Sequence, residues 1–127
     1  MKFARNVFLI AGIYGIIALL PQYFMENKIG VDNPPPITHP EYFYGFIGVG
    51  LAWQILFLII ARNPRMYRWV MLPSALEKLS FGCAALMLYS QHRLAFQVVG
   101  FGLIDLGLAA LFIISFSLVG KESPSLP

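Results

Sequence analysis

The sequence predicts an all-α fold: an integral membrane, antiparallel four-helix bundle in which residues 1–127 form a single transmembrane domain. Of its residues, 58% are hydrophobic and only 12% are charged, whereas a soluble domain carries about 25% charged residues. Four apolar runs reach the roughly 20 residues that a helix needs to cross a bilayer. They cover residues 6–24, 42–61, 69–89 and 96–119. The connections are short, so no separate domain outside the membrane is expected.

The placement of basic residues predicts the orientation of the chain. Most flank the termini and the connection between the second and third runs: Lys2, Arg5, Arg62, Arg65, Arg68 and Lys121. The other side carries only Lys28 and Arg93. The positive-inside rule then places both termini and the loop from Arg62 to Arg68 in the cytoplasm, as expected for a protein of the inner (plasma) membrane. This topology explains the net charge of +3, so membrane lipid is the expected partner and nucleic acid is not.

The first run is expected to be an uncleaved helix, because the bulky residues at 19–23 offer no signal-peptidase site. Ala11 and Gly15 have the small-xxx-small spacing that lets helices approach closely. The connection at 25–40 contains three consecutive prolines at 34–36. This composition predicts a stiff, extended segment.

The second helix is predicted to begin at a capping box, with Thr38 as the N-cap, Pro40 in the first turn and Glu41 reaching back. His39 and Glu41 alone are too few for a metal site, so capping is the preferred interpretation. Further along, Gly48 and Ala52 predict contact with a neighbouring helix.

The third helix admits two interpretations. It either runs from about Arg68 with a kink at Pro73, or begins at Ser74 with Ser74 and Glu77 as a second capping box. Length favours the continuous helix, because a start at Ser74 leaves a short span. In the second case Lys78 would snorkel to the surface. The single cysteine, Cys83, is predicted to be an inert packing residue.

The fourth helix has a slender surface rich in glycine and alanine, and the second helix has another. Two such surfaces exceed what a small monomer needs, so a homodimer or a larger membrane complex is expected. The polar tail from Lys121 to Pro127 is predicted to be poorly ordered.

Ionisable residues within the spans are the most informative feature. Lys78 lies about nine residues past Trp69, and Asp105 about nine past Phe96, so each is roughly 13 Å from its own edge of a core about 30 Å thick. Both therefore fall near one depth. The candidate ligand-binding residues at this depth are Tyr14, Trp53, Gln54, Glu77, Lys78 and Asp105.

A charge at this depth needs a partner or a function. Lys78 is predicted to pair with Asp105 or Glu77, and the remaining acid to be protonated or held by Gln54 or Tyr14. Three interpretations stay open: an ion pair that fixes helix register, a polar pocket that binds a lipid-like or hydrophobic molecule or relays protons, and a contact supplied by a partner protein. In the last, the chain is a non-catalytic accessory or scaffold subunit of a larger complex.

Sequence motifs for catalysis are missing. There is no serine–histidine–acid set, no glycine-rich phosphate loop and no metal-spaced histidine pair. The sequence therefore predicts neither metal nor cofactor, and it leaves open whether the protein is an enzyme.

The order of helices, outer loop and basic inner turn resembles two groups of small four-helix membrane proteins, the DoxX-like bacterial family and the EXPERA group. Residues 42–81, with Ala52-Trp53-Gln54 and Leu76-Glu77-Lys78-Leu79, also look like small bacterial membrane proteins. EXPERA proteins place acids around a central apolar pocket, a part that the resemblance would give to Glu77 and Asp105. The chain lacks an acid in its first helix and a histidine in any span, so the resemblance implies architecture and not sterol-isomerase activity.

Overall fold

The computed structural model describes residues 1–122, and within them it is all-α, without strands. The predicted fold class is therefore confirmed. Two 3-10 turns, at Leu20–Phe24 and Arg68–Val70, adjoin the long helices. The α-helices are α1 (Lys2–Leu19), α2 (Glu26–Asp32), α3 (Pro40–Arg62), α4 (Met71–Ser90) and α5 (Phe96–Glu122). The tail predicted to be poorly ordered begins at Lys121, but Lys121 and Glu122 belong to α5, so the prediction was wrong for these two residues. The rest of the tail, from position 123 onward, lies outside the described residues.

Four segments are long and apolar enough to cross a membrane, by length and composition, as in a multi-pass membrane protein. They are Lys2–Phe24, Pro40–Arg62, Arg68–Ser90 and Phe96–Lys121, each within a few residues of the predicted run. Their outward faces are apolar: Ile17 is 69% exposed, Val49 63% and Leu76 63%. Such faces suit contact with lipid rather than water.

The helices pack into a bundle that is open on one side. α1 packs against α3 and α5, and α4 packs against α5, but α3 barely touches α4. The core is built on three fully buried rings, with Phe8 stacked on Phe112 at 4.1 Å between centroids and both in contact with Phe57. This core lies towards the end of the bundle opposite α2, so the α2 end is less densely filled.

The connection between α1 and α3 is not extended, as its prolines predicted, but contains α2. The hydroxyl of Tyr44 donates a hydrogen bond to Oε1 of Glu26 at 2.9 Å, which ties α2 to α3. Gly30 is buried, and a Cβ there would lie 3.0 Å from Cα of Pro36. Prolines restrict their own segment, and residues 26–32 precede them, so the extended prediction was wrong for this half.

The start of α3 is also different from the prediction. Its N-cap is His39 and not Thr38, and no side chain caps the first turn. Pro40 does occupy the first helical position. Glu41 Oε1 lies 3.5 Å from Nδ1 of the exposed His39. The predicted capping box is therefore wrong: α3 begins one residue later than that box requires, with Pro40 in the first helical position and no side-chain cap.

The start of α4 agrees with the continuous interpretation. The 3-10 turn at Arg68–Val70 leads directly into Met71. Ser74 Oγ donates to the carbonyl oxygen of Val70 at 2.7 Å, so Ser74 is inside the helix and does not cap it. Pro73 is in the first turn, where the missing N–H has no intrahelical acceptor.

Of the helix contacts predicted at small residues, some are present in the structure and others are not. Gly15 does meet α3, as expected, since a Cβ there would overlap the side chain of Gln54. Gly48 and Ala52 do not receive a helix: Gly48 faces the Tyr23 hydroxyl, and Ala52 is exposed. Cys83 is likewise exposed rather than packed. Small-residue spacing marks a slender surface, but it does not say whether a helix covers it.

Candidate functional site

An ammonium and two carboxylates meet in the middle of the bundle. Lys78 Nζ on α4 lies 3.6 Å from Oδ1 of Asp105 on α5 and 3.9 Å from Oε2 of Glu77. The three side chains are 4%, 14% and 21% exposed. The predicted pairing of Lys78 is confirmed, and it involves both acids at once. With both acids ionised, this cluster carries one more negative charge than positive.

Gln54 of α3 approaches the same region from the other side. It is 1% exposed, and its Nε2 donates to the carbonyl oxygen of Gly50 at 2.8 Å. Its Oε1 is buried without a hydrogen-bond partner. The amide packs against Gly15 of α1, where only the absence of a side chain leaves room. The expectation that Gln54 would hold the second acid is wrong, since its donor turns to its own helix.

The charged cluster contains a second orphan acceptor, by which we mean, as for Gln54 Oε1, a buried oxygen without a hydrogen-bond partner. Glu77 Oε2 is buried and has no hydrogen-bond partner, because the Lys78 ammonium at 3.9 Å is too distant for one. A buried polar atom left without a partner costs roughly 1–3 kcal/mol. Gln54 Oε1 on α3 and Glu77 Oε2 on α4 are therefore two buried acceptors whose hydrogen-bonding capacity is not used within the described residues.

Both acceptors belong to side chains that line one cavity. Its volume is about 280 Å³, at the small end of the range of roughly 300–1,000 Å³ for ligand pockets. The cavity lies between α1, α3, α4 and α5. Five of the six candidate residues line it: Tyr14, Gln54, Glu77, Lys78 and Asp105. The structure thus brings together residues from all four long helices.

Trp53, the sixth candidate, lines a separate space instead. This is a groove of about 590 Å³ on the open side of the bundle, between α3 and α4. It runs from Tyr42 at the α2 end of α3 to Trp53 and Glu77, with mostly apolar walls. Below, we call the two spaces the cavity and the groove.

The cavity and the groove are neighbours. Phe46, Gly50, Glu77 and Phe81 line both, so these four residues form the wall between them. The ring of Phe46 on α3 and the ring of Phe81 on α4 lie next to each other at the seam between these helices, with 6.2 Å between their centroids. A molecule with its polar group in the cavity would pass this wall to place an apolar chain in the groove.

Sequence reasoning missed several lining residues, including Phe46, Phe81, Phe101 and Gln22. An apolar residue in a span carries no signal that separates a cavity wall from a lipid-facing surface. Gln22 does carry a signal, because it is a polar residue at the end of an apolar run.

The arrangement can hold a small polar group at mid-bundle depth and an apolar chain beside it. It offers carboxylate and amide oxygens as acceptors and one ammonium as a donor. Among residues 1–122, no three histidine, cysteine or acidic side chains converge as metal ligands.

Comparison of the chain with models of known families, with curated proteins and with solved structures gives no match. The resemblance to the DoxX-like and EXPERA groups therefore stays a prediction.

Proposed function

We propose that this membrane protein binds an amphipathic, lipid-like small molecule, with the polar head in the cavity and the apolar tail in the groove. The observation that carries the proposal is the pair of buried, unpartnered acceptors, Gln54 Oε1 and Glu77 Oε2, in the lining of one cavity. Protein atoms cover both oxygens, so a bound head with hydrogen-bond donors would satisfy them once the amide and carboxyl groups turn toward the cavity that their side chains line.

The main rival is an ion pair that only fixes helix register. Such a device works best when the charges are in direct hydrogen-bond contact and the space around them is filled. Here the nearest ammonium–carboxylate distance is 3.6 Å, and a cavity adjoins the pair. Gln54 also has no role in a register pair between α4 and α5. These features favour a binding site.

The groove supports a ligand that comes from the bilayer. It faces outward between α3 and α4, the two neighbouring helices that barely touch. Its apolar walls would lie beside lipid tails in a membrane, so an apolar chain exchanges one hydrocarbon environment for another. Affinity would then come mainly from the head in the cavity and from shape.

The location follows from the basic residues. Lys2, Arg5, the turn from Arg62 to Arg68, and Lys121 belong to the end of the bundle opposite α2. We propose that this end faces the cytoplasm, and, on the resemblance to small bacterial membrane proteins, that the membrane is the bacterial inner membrane. Reporter fusions at either terminus test this orientation, and a reporter active outside the cytoplasm contradicts it.

The binding proposal is tested by native mass spectrometry of the protein extracted from its own membrane in a mild detergent. The wild type should retain a small molecule. Val98→Phe, which adds a ring to a residue of the cavity lining, should release it. Val31→Phe makes the same change at an exposed position of α2 and should not. A folded wild type that retains no small molecule contradicts the proposal.

A second function is favoured by a different surface. Gly100 and Gly107 of α5 are exposed, and a Cβ at either would meet no atom within 4 Å. A homodimer, or a larger complex with this chain as an accessory or scaffold subunit, would cover them. The same mass spectrum tests this, because a retained protein partner in place of a small molecule supports the accessory role.

A further inference from the structure

We infer that the head of the bound molecule is a primary or secondary amine, held as an ammonium by Glu77 and Gln54. The inference rests on the proposed function, since it names the chemistry of the ligand in the same cavity. It depends on three properties of the lining: the kind of orphan atom, the balance of charge, and the position of Lys78.

The orphan atoms require donors. Gln54 Oε1 is an amide oxygen, which only accepts, and Glu77 Oε2 only accepts once its carboxyl group is ionised, the state that it takes beside a bound ammonium. A head that fits them must therefore carry at least two N–H or O–H groups. An ester, an ether or a quaternary ammonium has none and would leave both acceptors unpaired.

The charges favour a cation over a neutral donor. Lys78 is the one ammonium in contact with two carboxylates, Asp105 at 3.6 Å and Glu77 at 3.9 Å. It can neutralise one of them. The second needs either a proton or another cation, because an uncompensated charge at this depth is costly. An ammonium head supplies this charge and the donors together, whereas an alcohol supplies the donors alone.

An anionic head is disfavoured by the same geometry. A fatty-acid carboxylate could approach Lys78, but it would then lie beside two other carboxylates. The side chain of Lys78 is 4% exposed, and 5.2 Å separate its Nζ from the centre of the Phe57 ring. The aromatic ring and the two acids surround the ammonium, so they leave little of it for a ligand anion.

The route between lipid and cavity also suits an amine that can lose its proton. A primary amine has a pKa near 10.4 and can pass the apolar groove as the neutral base. In the cavity it takes the proton of the carboxyl group that Lys78 leaves uncompensated. An N–H bond forms as the O–H bond breaks, so the charge of site plus ligand does not change. A quaternary ammonium cannot do this.

The test compares four single-chain amphiphiles with the same dodecyl tail: dodecylamine, dodecanol, dodecyltrimethylammonium and dodecanoate. Each is titrated against the wild-type protein in a neutral maltoside detergent, with Kd read by native mass spectrometry. We expect the amine to bind about tenfold or more tightly than the alcohol and the trimethylammonium, the effect of one charge-assisted hydrogen bond. Dodecanoate should bind most weakly.

Two variants locate the effect. Glu77→Gln should remove the advantage of the amine over the alcohol, because the cluster then holds one carboxylate for one ammonium. Asp32→Asn makes the matching change from acid to amide on α2, where the side chain is 52% exposed and lines neither space, and should keep the advantage. Far-ultraviolet circular dichroism shows that each variant is folded.

The outcomes separate this inference from the proposed function. If none of the four amphiphiles binds the folded wild type, the lipid-like ligand itself is contradicted. If dodecanol or dodecanoate binds as tightly as dodecylamine, a ligand site exists but the amine is wrong. If dodecyltrimethylammonium binds as tightly as dodecylamine, the site recognises only the positive charge, and the role of Gln54 as an acceptor is overturned.

Discussion

Lys78 Nζ lies 3.6 Å from Oδ1 of Asp105 and joins α4 to α5 midway along both helices. The two residues are 27 positions apart in the chain, yet simple helical rise places them at one depth. Each lies about nine residues from its own end of a hairpin whose two helices pack closely. Glu77 at 3.9 Å makes the contact a cluster of three charges. The behaviour of this cluster gives the first prediction.

Asp105→Asn should destabilise the protein by up to about 3–5 kcal/mol, the usual effect of removing one partner of a buried pair. Glu77 remains within 3.9 Å of the ammonium, so the loss should fall in the lower part of this range. Lys78→Met combined with Asp105→Leu should recover much of the stability, because both charges leave the apolar interior. Equilibrium unfolding in mixed micelles measures these differences.

The same double variant separates a register device from a binding site. If the pair only fixes register, the double variant keeps ligand or partner binding as well as stability. If the pair lines the site, the double variant folds but binds the amphiphile with a changed Kd, because Glu77 and Gln54 remain while apolar side chains replace the charged wall beside them. A double variant no more stable than Asp105→Asn would show that the contact between Lys78 and Asp105 contributes nothing measurable, contrary to the first prediction.

The spans and the charge cluster were predictable because both depend only on the number of residues along a helix. Twenty apolar residues make a span, and about 1.5 Å per residue gives depth, so the level of Lys78 and Asp105 followed from their positions. The choice between Asp105 and Glu77 as the partner did not follow. It depends on side-chain direction, and the structure shows that the ammonium lies between them.

The cavity and the groove were not predictable in the same way. They exist because α3 barely touches α4, and an apolar sequence looks the same whether a helix face meets lipid or another helix. The depth of Gln54 in its span indicates that its side chain lies inside the bundle. Its hydrogen bond to Gly50 and its contact with Gly15 could not be predicted from the sequence. The exposure of Cys83 was missed for the same reason, since its neighbours Gly82 and Ala84 looked like packing residues.

Gly15→Ala should destabilise the bundle by about 1–3 kcal/mol, the usual effect of overpacking a filled contact. The added methyl group would overlap the Gln54 side chain, which is fully buried and cannot swing out to solvent. Gly45→Ala is the matched control, because a Cβ there meets no atom within 4 Å. Thermal unfolding in detergent compares the two, and equal Tm values would contradict the contact between Gly15 and Gln54.

Arg68→Lys should lower the free energy of unfolding by about 1–3 kcal/mol, although lysine keeps the positive charge. Arg68 Nε donates to the carbonyl oxygen of Phe116 at 2.8 Å, and the guanidinium lies 3.8 Å from the centre of the Phe116 ring. A lysine has neither the planar group nor the Nε donor. Arg65→Lys, at an exposed position in the same turn, should change stability by less than about 0.5 kcal/mol. Equal losses in both variants would contradict the role of the Phe116 contact.

Gly100→Leu together with Gly107→Leu should convert an assembly into monomers. Both glycines are exposed and an added Cβ at either meets no atom within 4 Å, so side chains added there begin in open space and should act mainly on a partner. Native mass spectrometry or mass photometry in mild detergent reads the mass of each form. A wild type that is already monomeric would contradict the assembly, and a double variant with unchanged mass would place the interface elsewhere.

Phe81→Ala should speed the exchange of a bound amphiphile between cavity and bilayer. The Phe81 ring stands at the seam between α3 and α4, 6.2 Å from the ring of Phe46, and lines both the groove and the cavity. Removing it widens the passage, so the association and dissociation rates should both increase, while Kd changes less than either rate.

Stopped-flow measurement gives both rates, with the fluorescence of Trp53 as the reporter because Trp53 lines the groove. The substitution Trp69→Phe removes the only other tryptophan of the sequence. Phe24→Ala, at a ring that is 86% exposed outside both spaces, should leave the rates unchanged. Unchanged rates in Phe81→Ala would mean that the ligand reaches the cavity from the α2 end of the bundle, past Gln22, and not through the groove.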